Sequence, residues 1–139
     1  MAKVMFLCTG NSCRSQMAEG FVKFLTKGKT EAFSAGLAPA EEVHPMAVLV
    51  MAEIGIDISG QRPKPIDGEL LNRMDVVITL CDNAAGTCPW TPPHVRRLHW
   101  PLRDPVTATG TEEQRLTVFR QVRDDIRVRT EAFLKEEAQ

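Results

Sequence analysis

The chain has 139 residues, 43% of them apolar and 25% charged, which are the proportions of a globular domain and exclude a disordered or fibrous chain. Seventeen basic against eighteen acidic residues leave a net charge of -1, which excludes a global field that recruits nucleic acid or an anionic membrane, so any anion site must be local. The length predicts a single domain over residues 1–139 with one substantial core, and no apolar run approaches the roughly 20 residues that cross a bilayer.

The opening MAKVMFLCTG carries one lysine and only about five apolar residues, short of the roughly 7 to 15 of a secretory signal. The expected location is the cytoplasm, where thiols stay reduced, so Cys8, Cys13, Cys81 and Cys88 are expected to be free, metal-bound or redox-active. KVMFLC, residues 3–8, is short, apolar and soon followed by Gly10, as a buried strand is. SCRSQMAEGFVKFLTKG then places Met17, Phe21, Phe24 and Leu25 at helical spacing and stops at Gly28. EAFSAG, residues 31–36, predicts a second strand, and APAEEV a surface loop. HPMAVLVMAEIG, residues 44–55, has Pro45 near a helix start and Gly55 at its end. DISGQRPKPID, residues 57–67, reads as a loop and GELLNR as a short helix. MDVVITLC, residues 74–81, is the clearest buried strand, and RRLHW, residues 96–100, a weaker one. Between them DNAAGTCPWTPP is rich in breakers and is expected to be mobile. From Glu112 to about Lys135, the residues Leu116, Phe119, Val122, Ile126 and Phe133 mark one face of a long amphipathic helix.

Strands alternating with helices predict an α/β three-layer sandwich with a four-stranded parallel sheet, because crossover helices cover both faces of such a sheet. Ligands bind at the carboxyl ends of its strands. Cys8, Cys81 and Cys88 all fall at or just beyond such ends.

The segment CTGNSCR, residues 8–14, combines a strand-end cysteine with an arginine six positions later. A loop of that length, with Thr9, Gly10, Asn11, Ser12 and Cys13 between them, turns its backbone N–H groups inward as an anion nest backed by a helix N-terminus. Arg14 adds a planar fork able to hold two oxyanion oxygens, which suits phosphate or arsenate. These positive surroundings favour Cys8 as an attacking thiolate, with Ser15 placed to donate a hydrogen bond to it. Neither GxxxxGK[ST] nor GxGxxG is present. Cys13 at the helix start is read as a packing residue in preference to a second reactive thiol.

CDNAAGTC places Cys81 and Cys88 seven residues apart, and His44, His94 and His99 are scattered, so no zinc-ligand spacing occurs and no metal is expected. The two thiols are either unrelated loop cysteines or a pair able to meet, since Ala84, Ala85 and Gly86 permit the chain to fold back. Asp104-Pro105 reads on its own as a turn. RQVRDDIRVR, residues 120–129, is read as a solvated helix face, and no nucleic-acid motif accompanies it.

The pattern C-x5-R-S after a first strand, with Asp104-Pro105 late in the chain, resembles the low-molecular-weight protein tyrosine phosphatase fold. Within that fold CTGNSCRSQMAEG, GIDIS, VVITLCDNAAGTCPW and HWPLRDP together resemble the thioredoxin-coupled arsenate reductases, from about residue 3 to residue 135. The resemblance implies Cys8 as nucleophile, an oxyanion held by the loop from Thr9 to Ser15 with Arg14, and Asp104 as general acid. It further implies a relay in which Cys81 attacks Cys8, Cys88 attacks Cys81, and thioredoxin reduces the Cys81–Cys88 disulfide. The alternative it implies is a phosphomonoesterase acting through a Cys8-phosphate, which needs neither Cys81 nor Cys88. No organic cofactor is expected, and a monomer is.

Two departures from the pattern stand out. There is no tyrosine, leaving Trp90 and Trp100 as the aromatic residues to receive a phosphotyrosine ring. Some of the resembling reductases bind potassium through Asn, Ser, Thr and Asp positions. Asn11 and Ser34 match these, with Glu19 as support, but Arg62 and Lys64 stand in place of the Thr and Asp, so no potassium requirement is expected.

Overall fold

The computed structural model describes residues 2–80 and 92–137. The two most apolar β-type runs become the centre of a parallel sheet: β1 (Lys3–Cys8) pairs on one side with β2 (Glu31–Gly36) and on the other with β3 (Val76–Thr79), and β4 (Arg96–His99) completes the order β2-β1-β3-β4. Helices α1 (Arg14–Leu25), α2 (Pro45–Ala52), α3 (Gly68–Asn72) and α4 (Glu112–Glu137) lie between and after the strands, with a 3-10 turn at Pro105–Thr107.

Alternation along β1 assigns its side chains to two cores. Val4, Phe6 and Cys8 join Val76 and Ile78 in packing against α1, α2 and α4, whereas Met5 and Leu7 join Ala35, Val77 and Val95 against Leu71 of α3 and the adjoining Met74. Burial on both faces explains why β1 and β3 read as unbroken apolar runs. The expected four-stranded parallel α/β sandwich is therefore the observed one.

Local chemistry sets the boundaries of the elements. Lys27 and Gly28 both take positive φ, 54° and 79°, and the Gly28 N–H donates to the Lys23 carbonyl at 3.0 Å, which ends α1 just before the predicted stop. Gly20 lets α1 close on the 56–58 segment: a Cβ there would lie 2.6 Å from Ile58 Cγ2. His44 caps α2, its Nδ1 accepting the Met46 N–H at 3.1 Å, with Pro45 in the first turn.

Two expectations are corrected. Trp100 is a core residue, 9% exposed, with its ring 5.8 Å from that of Phe6 and 6.3 Å from that of Phe133, so it offers no platform for a substrate ring. Trp90 lies outside the described residues. The charged stretch of α4 is not solvated throughout. Arg123 is buried and donates to the Val50 carbonyl and to Glu53 Oε1, both at 2.9 Å, while Arg120 forks onto the same Glu53. Hydrogen bonds from Arg120 first, and from Arg123, hold the Glu53 carboxyl below its ordinary pKa. These arginines bind α4 to α2.

The His44 cap makes stability depend on pH in a stated direction. Burial, aided by Arg115, lowers the His44 pKa below its ordinary 6.5, against the opposing pull of Asp104 and Glu42. Only an unprotonated Nδ1 accepts the Met46 N–H, and the unfolded chain takes up the proton first as pH falls. The stabilisation from His44 is thus complete above 6.5 and is lost as pH falls through the lower folded value. His44→Asn keeps a capping side chain and cannot titrate. In thermal melts, the melting temperature of the wild type relative to His44→Asn is expected to fall between about pH 7 and pH 5, and a constant difference would refute the assignment.

Candidate active site

The loop from Thr9 to Cys13 runs from the end of β1 to the start of α1, and its backbone orientation follows from where its carbonyls go. Those of Cys8, Thr9, Gly10 and Ser12 accept N–H groups of Leu37, Ala38, Ala40 and His44 at 3.3, 2.9, 2.9 and 2.8 Å, and that of Asn11 accepts Gln16 Nε2 at 2.9 Å. In a trans peptide the N–H points opposite to the preceding carbonyl. Five outward carbonyls therefore turn the N–H groups of residues 9–13 to the other side. The Asn11 N–H shows the result, since it donates to Cys8 Sγ at 3.2 Å.

Asn11 itself has φ 51°, in the left-handed region that asparagine tolerates better than most residues. Its Nδ2 donates to Ser15 Oγ at 2.7 Å, and Ser15 Oγ lies 2.8 Å from Cys8 Sγ, where its hydroxyl hydrogen serves a thiolate and its second lone pair a thiol. Gly36 makes the close approach possible, because a Cβ there would stand 2.7 Å from the Thr9 carbonyl oxygen and 2.9 Å from Asn11 N.

In front of this loop lies a pocket of about 220 Å³ lined by Cys8, Thr9, Gly10, Ser12, Cys13, Arg14, Asp104 and Val106. Arg14 is buried, with NH1 donating to the Leu80 and Leu102 carbonyls, both at 3.0 Å, and NH2 3.6 Å from Asp104 Oδ2. The two carbonyls fix the plane of the fork. Asp104 caps the 3-10 turn, its Oδ1 accepting the Val106 N–H at 3.1 Å, which directs Oδ2 toward Arg14. Burial, and then the nearby Asp104 carboxyl, push the Cys13 thiol up to about 12. It is therefore a neutral thiol, packed in the core cluster and also at the wall of the pocket.

Of the residues singled out in the sequence, Cys8, Thr9, Gly10, Ser12, Cys13, Arg14 and Asp104 come together around this pocket. Asn11 and Ser15 stand behind the sulfur, bonded to it, and do not line the pocket. Cys81 and Cys88 lie outside the described residues. Leu80, the residue before Cys81, donates its N–H to the Leu7 carbonyl at 2.9 Å and gives its carbonyl to Arg14.

The sequence reading missed the frame of the loop: the 37–44 segment, Gly36, and Gln16, whose Nε2 bridges the Asn11 and Arg62 carbonyls at 2.9 and 3.0 Å. Gly36 at a predicted strand end was the one available signal. Backbone donors such as Leu37 and Ala38 leave none, because any residue supplies them.

The low molecular weight phosphotyrosine protein phosphatase family matches residues 3–139. An arsenate reductase of Bacillus subtilis strain 168 is 51% identical over 130 residues, covering 94% of this chain and 93% of its own. Among solved structures, an arsenate reductase in the phosphate binding state superposes with a TM-score of 0.80 at 43% identity over 98% of each chain. A thioredoxin-dependent arsenate reductase of Corynebacterium glutamicum also gives a TM-score of 0.80, at 27% identity over 100% of this chain and 64% of that one.

The fit at Gly36 yields a direct prediction. Gly36→Ala displaces backbone that has no room to yield, so the protein is expected to lose about 1–3 kcal/mol of stability. Because the displaced atoms belong to Thr9 and Asn11, Cys8 is also expected to react more slowly with iodoacetamide, as followed by peptide mass spectrometry. An unchanged Cys8 rate would mean that the loop does not depend on this contact.

Proposed function

Since the chain belongs to the low molecular weight phosphotyrosine protein phosphatase family, we propose that it is an arsenate reductase, reducing arsenate to arsenite with electrons from its own thiols. The observation that carries this reading is Cys8 Sγ, which accepts the Asn11 N–H and shares a hydrogen bond with the Ser15 hydroxyl at the base of a small pocket that also presents Arg14 and Asp104.

In this reading arsenate occupies the pocket, its oxygens facing the N–H groups of the loop and the Arg14 fork. The Cys8 thiolate attacks arsenic, an S–As bond forms, and one oxygen leaves as water with a proton from Asp104. The Cys81 thiolate then attacks Cys8 Sγ. The S–As bonding pair passes to arsenic, which falls from As(V) to As(III), and arsenite departs as the Cys8–Cys81 disulfide forms. Cys88 attacks Cys81 and releases Cys8 as thiolate, leaving a Cys81–Cys88 disulfide for thioredoxin to reduce. Two thiols thus supply the two electrons. Support for Cys81 as the first resolving thiol comes from Leu80, whose pairing to Leu7 and Arg14 brings the chain beside the pocket immediately before Cys81. Support for thioredoxin as reductant comes from the Corynebacterium relative. Among the described residues no helix is long and apolar enough to cross a membrane.

Hydrolysis of phosphomonoesters through a Cys8-phosphate is the second reading, favoured by the same sulfur, Arg14 and Asp104. Among the described residues that line the pocket none is aromatic, which favours a small oxyanion over phosphotyrosine.

Arsenite formation measured with thioredoxin, thioredoxin reductase and NADPH separates the two. Cys8→Ser, Cys81→Ser and Cys88→Ser are each expected to abolish turnover, while only Cys8→Ser abolishes hydrolysis of p-nitrophenyl phosphate. Wild-type turnover by Cys81→Ser and Cys88→Ser would overturn the relay and leave a phosphatase. Asp104→Asn is expected to lower the rate of the first step by about 10² or more in single-turnover experiments with excess protein, and a rate near wild type would remove Asp104 from the reaction.

A further inference from the structure

Behind the oxyanion loop lies a second polar cluster that the proposed chemistry does not use. Glu19 of α1 is 4% exposed, its Oε1 accepts the Ser34 hydroxyl at 2.6 Å, and its Oε2 pairs with Lys23. Lys64 extends its half-buried ammonium into the same place, donating to the Arg62 carbonyl at 2.7 Å and lying 3.5 Å from Ser34 Oγ and 3.9 Å from Glu19 Oε1. The backbone of Lys64 is tied to the loop as well: its N–H donates to Asn11 Oδ1 at 2.8 Å, and its carbonyl accepts the Gly36 N–H at 2.9 Å.

A carboxylate as buried as that of Glu19 needs cations beside it, since desolvation of an unpaired charge costs several kcal/mol. In some of the reductases that the sequence resembles, potassium sits near the catalytic loop, but the residues here do not fit that ion. Lys64 and Arg62 replace two oxygen-bearing side chains, and the ammonium already lies against Glu19, Ser34 and the Arg62 carbonyl, where it would repel a second cation. Burial lowers the Lys64 pKa while Glu19 opposes the shift.

We propose that the Lys64 ammonium is a built-in counter-cation beneath the oxyanion loop, a positioning residue that fixes Asn11, and through it Ser15 and Cys8, without any bound monovalent ion. The ammonium adds a second positive charge beside Glu19, on the side away from Lys23, and draws the Arg62 carbonyl inward at 2.7 Å, and this sets the height of the Lys64 N–H under Asn11. Asn11 in turn presents its own N–H to Cys8 Sγ and its side chain to Ser15. The cluster opens onto a surface cleft of about 600 Å³ bordered by Glu19, Lys23, Phe33 and Lys64, so an ion from solution can reach Glu19 once the ammonium is removed.

The inference rests on the reductase reading only for its effect on turnover, so the test reads the loop directly. The rate of Cys8 alkylation by iodoacetamide, followed by peptide mass spectrometry, and the melting temperature are measured for wild type, Lys64→Met and Lys64→Arg in choline chloride and in potassium chloride at equal ionic strength. Wild type is expected to give the same values in both salts. Lys64→Met is expected to alkylate about tenfold more slowly in choline chloride, the loss of one charge-assisted hydrogen bond, and to recover in potassium chloride. Lys64→Arg is expected to stay near wild type. A wild-type protein stabilised or accelerated by potassium over choline would overturn the proposal without recourse to any variant. A Lys64→Met protein that melts lower but alkylates Cys8 at the wild-type rate would also overturn it, making Lys64 merely structural. Failure of arsenate turnover alone, with these rates as expected, would count against the reductase reading instead.

Discussion

Asn11 is the residue on which the loop turns. All four of its hydrogen-bonding groups are engaged: the N–H to Cys8 Sγ, the carbonyl from Gln16, Nδ2 to Ser15 Oγ and Oδ1 from the Lys64 N–H. Its left-handed backbone reverses the chain between β1 and α1, and satisfied polar groups on every side make that conformation the stable one in a fully buried position. Ordering around a single residue explains how a short loop holds a nucleophile and an anion nest in one geometry.

From that centre the constraint spreads through backbone groups. The outward carbonyls of the loop engage the 37–44 segment, whose far end caps α2 through His44, and the His44 ring rests against Phe119 of α4 with centroids 5.0 Å apart. On the opposite side Arg14 gathers the Leu80 and Leu102 carbonyls beside Asp104. Removing the guanidinium therefore subtracts more than an anion ligand: it unpairs two carbonyls and frees the carboxyl that they stand next to. Preorganisation of this kind is how a rigid sheet end becomes a reactive site.

Charge is distributed with the same economy. A net charge of -1 gives the molecule no long-range attraction for anions, and the charged groups that matter are local: the buried Arg14 at the pocket and, behind it, the buried Glu19 carboxylate flanked by the exposed Lys23 and the half-buried Lys64. Buried charges in such positions are held by hydrogen bonds to fixed partners, so their geometry, more than their number, sets the field at Cys8.

The strands, the helices and the cysteine-arginine loop were legible in the amino-acid sequence because each is a local pattern: an apolar run, a helical repeat, a fixed six-residue interval between Cys8 and Arg14. Trp100 was misread as a possible substrate platform and Arg123 as solvated, because neither composition nor spacing shows which side chains the core will cover. The frame of the site was legible only at Gly36, the glycine at a predicted strand end. Gly36 and the 37–44 segment are joined to the loop by contacts between residues distant in sequence, largely through backbone atoms that every residue type carries, and Gln16 reaches back to the Asn11 carbonyl with a side chain that belongs to no motif. Lys64 occupies the middle ground, since its substitution was visible in the sequence, while the position of its ammonium against Ser34 and Glu19 was not. The sequence alone determined which atoms were available to react. Tertiary structure decided which way the peptide planes face, because only packing between distant segments selects one orientation of a loop whose local energetics allow several.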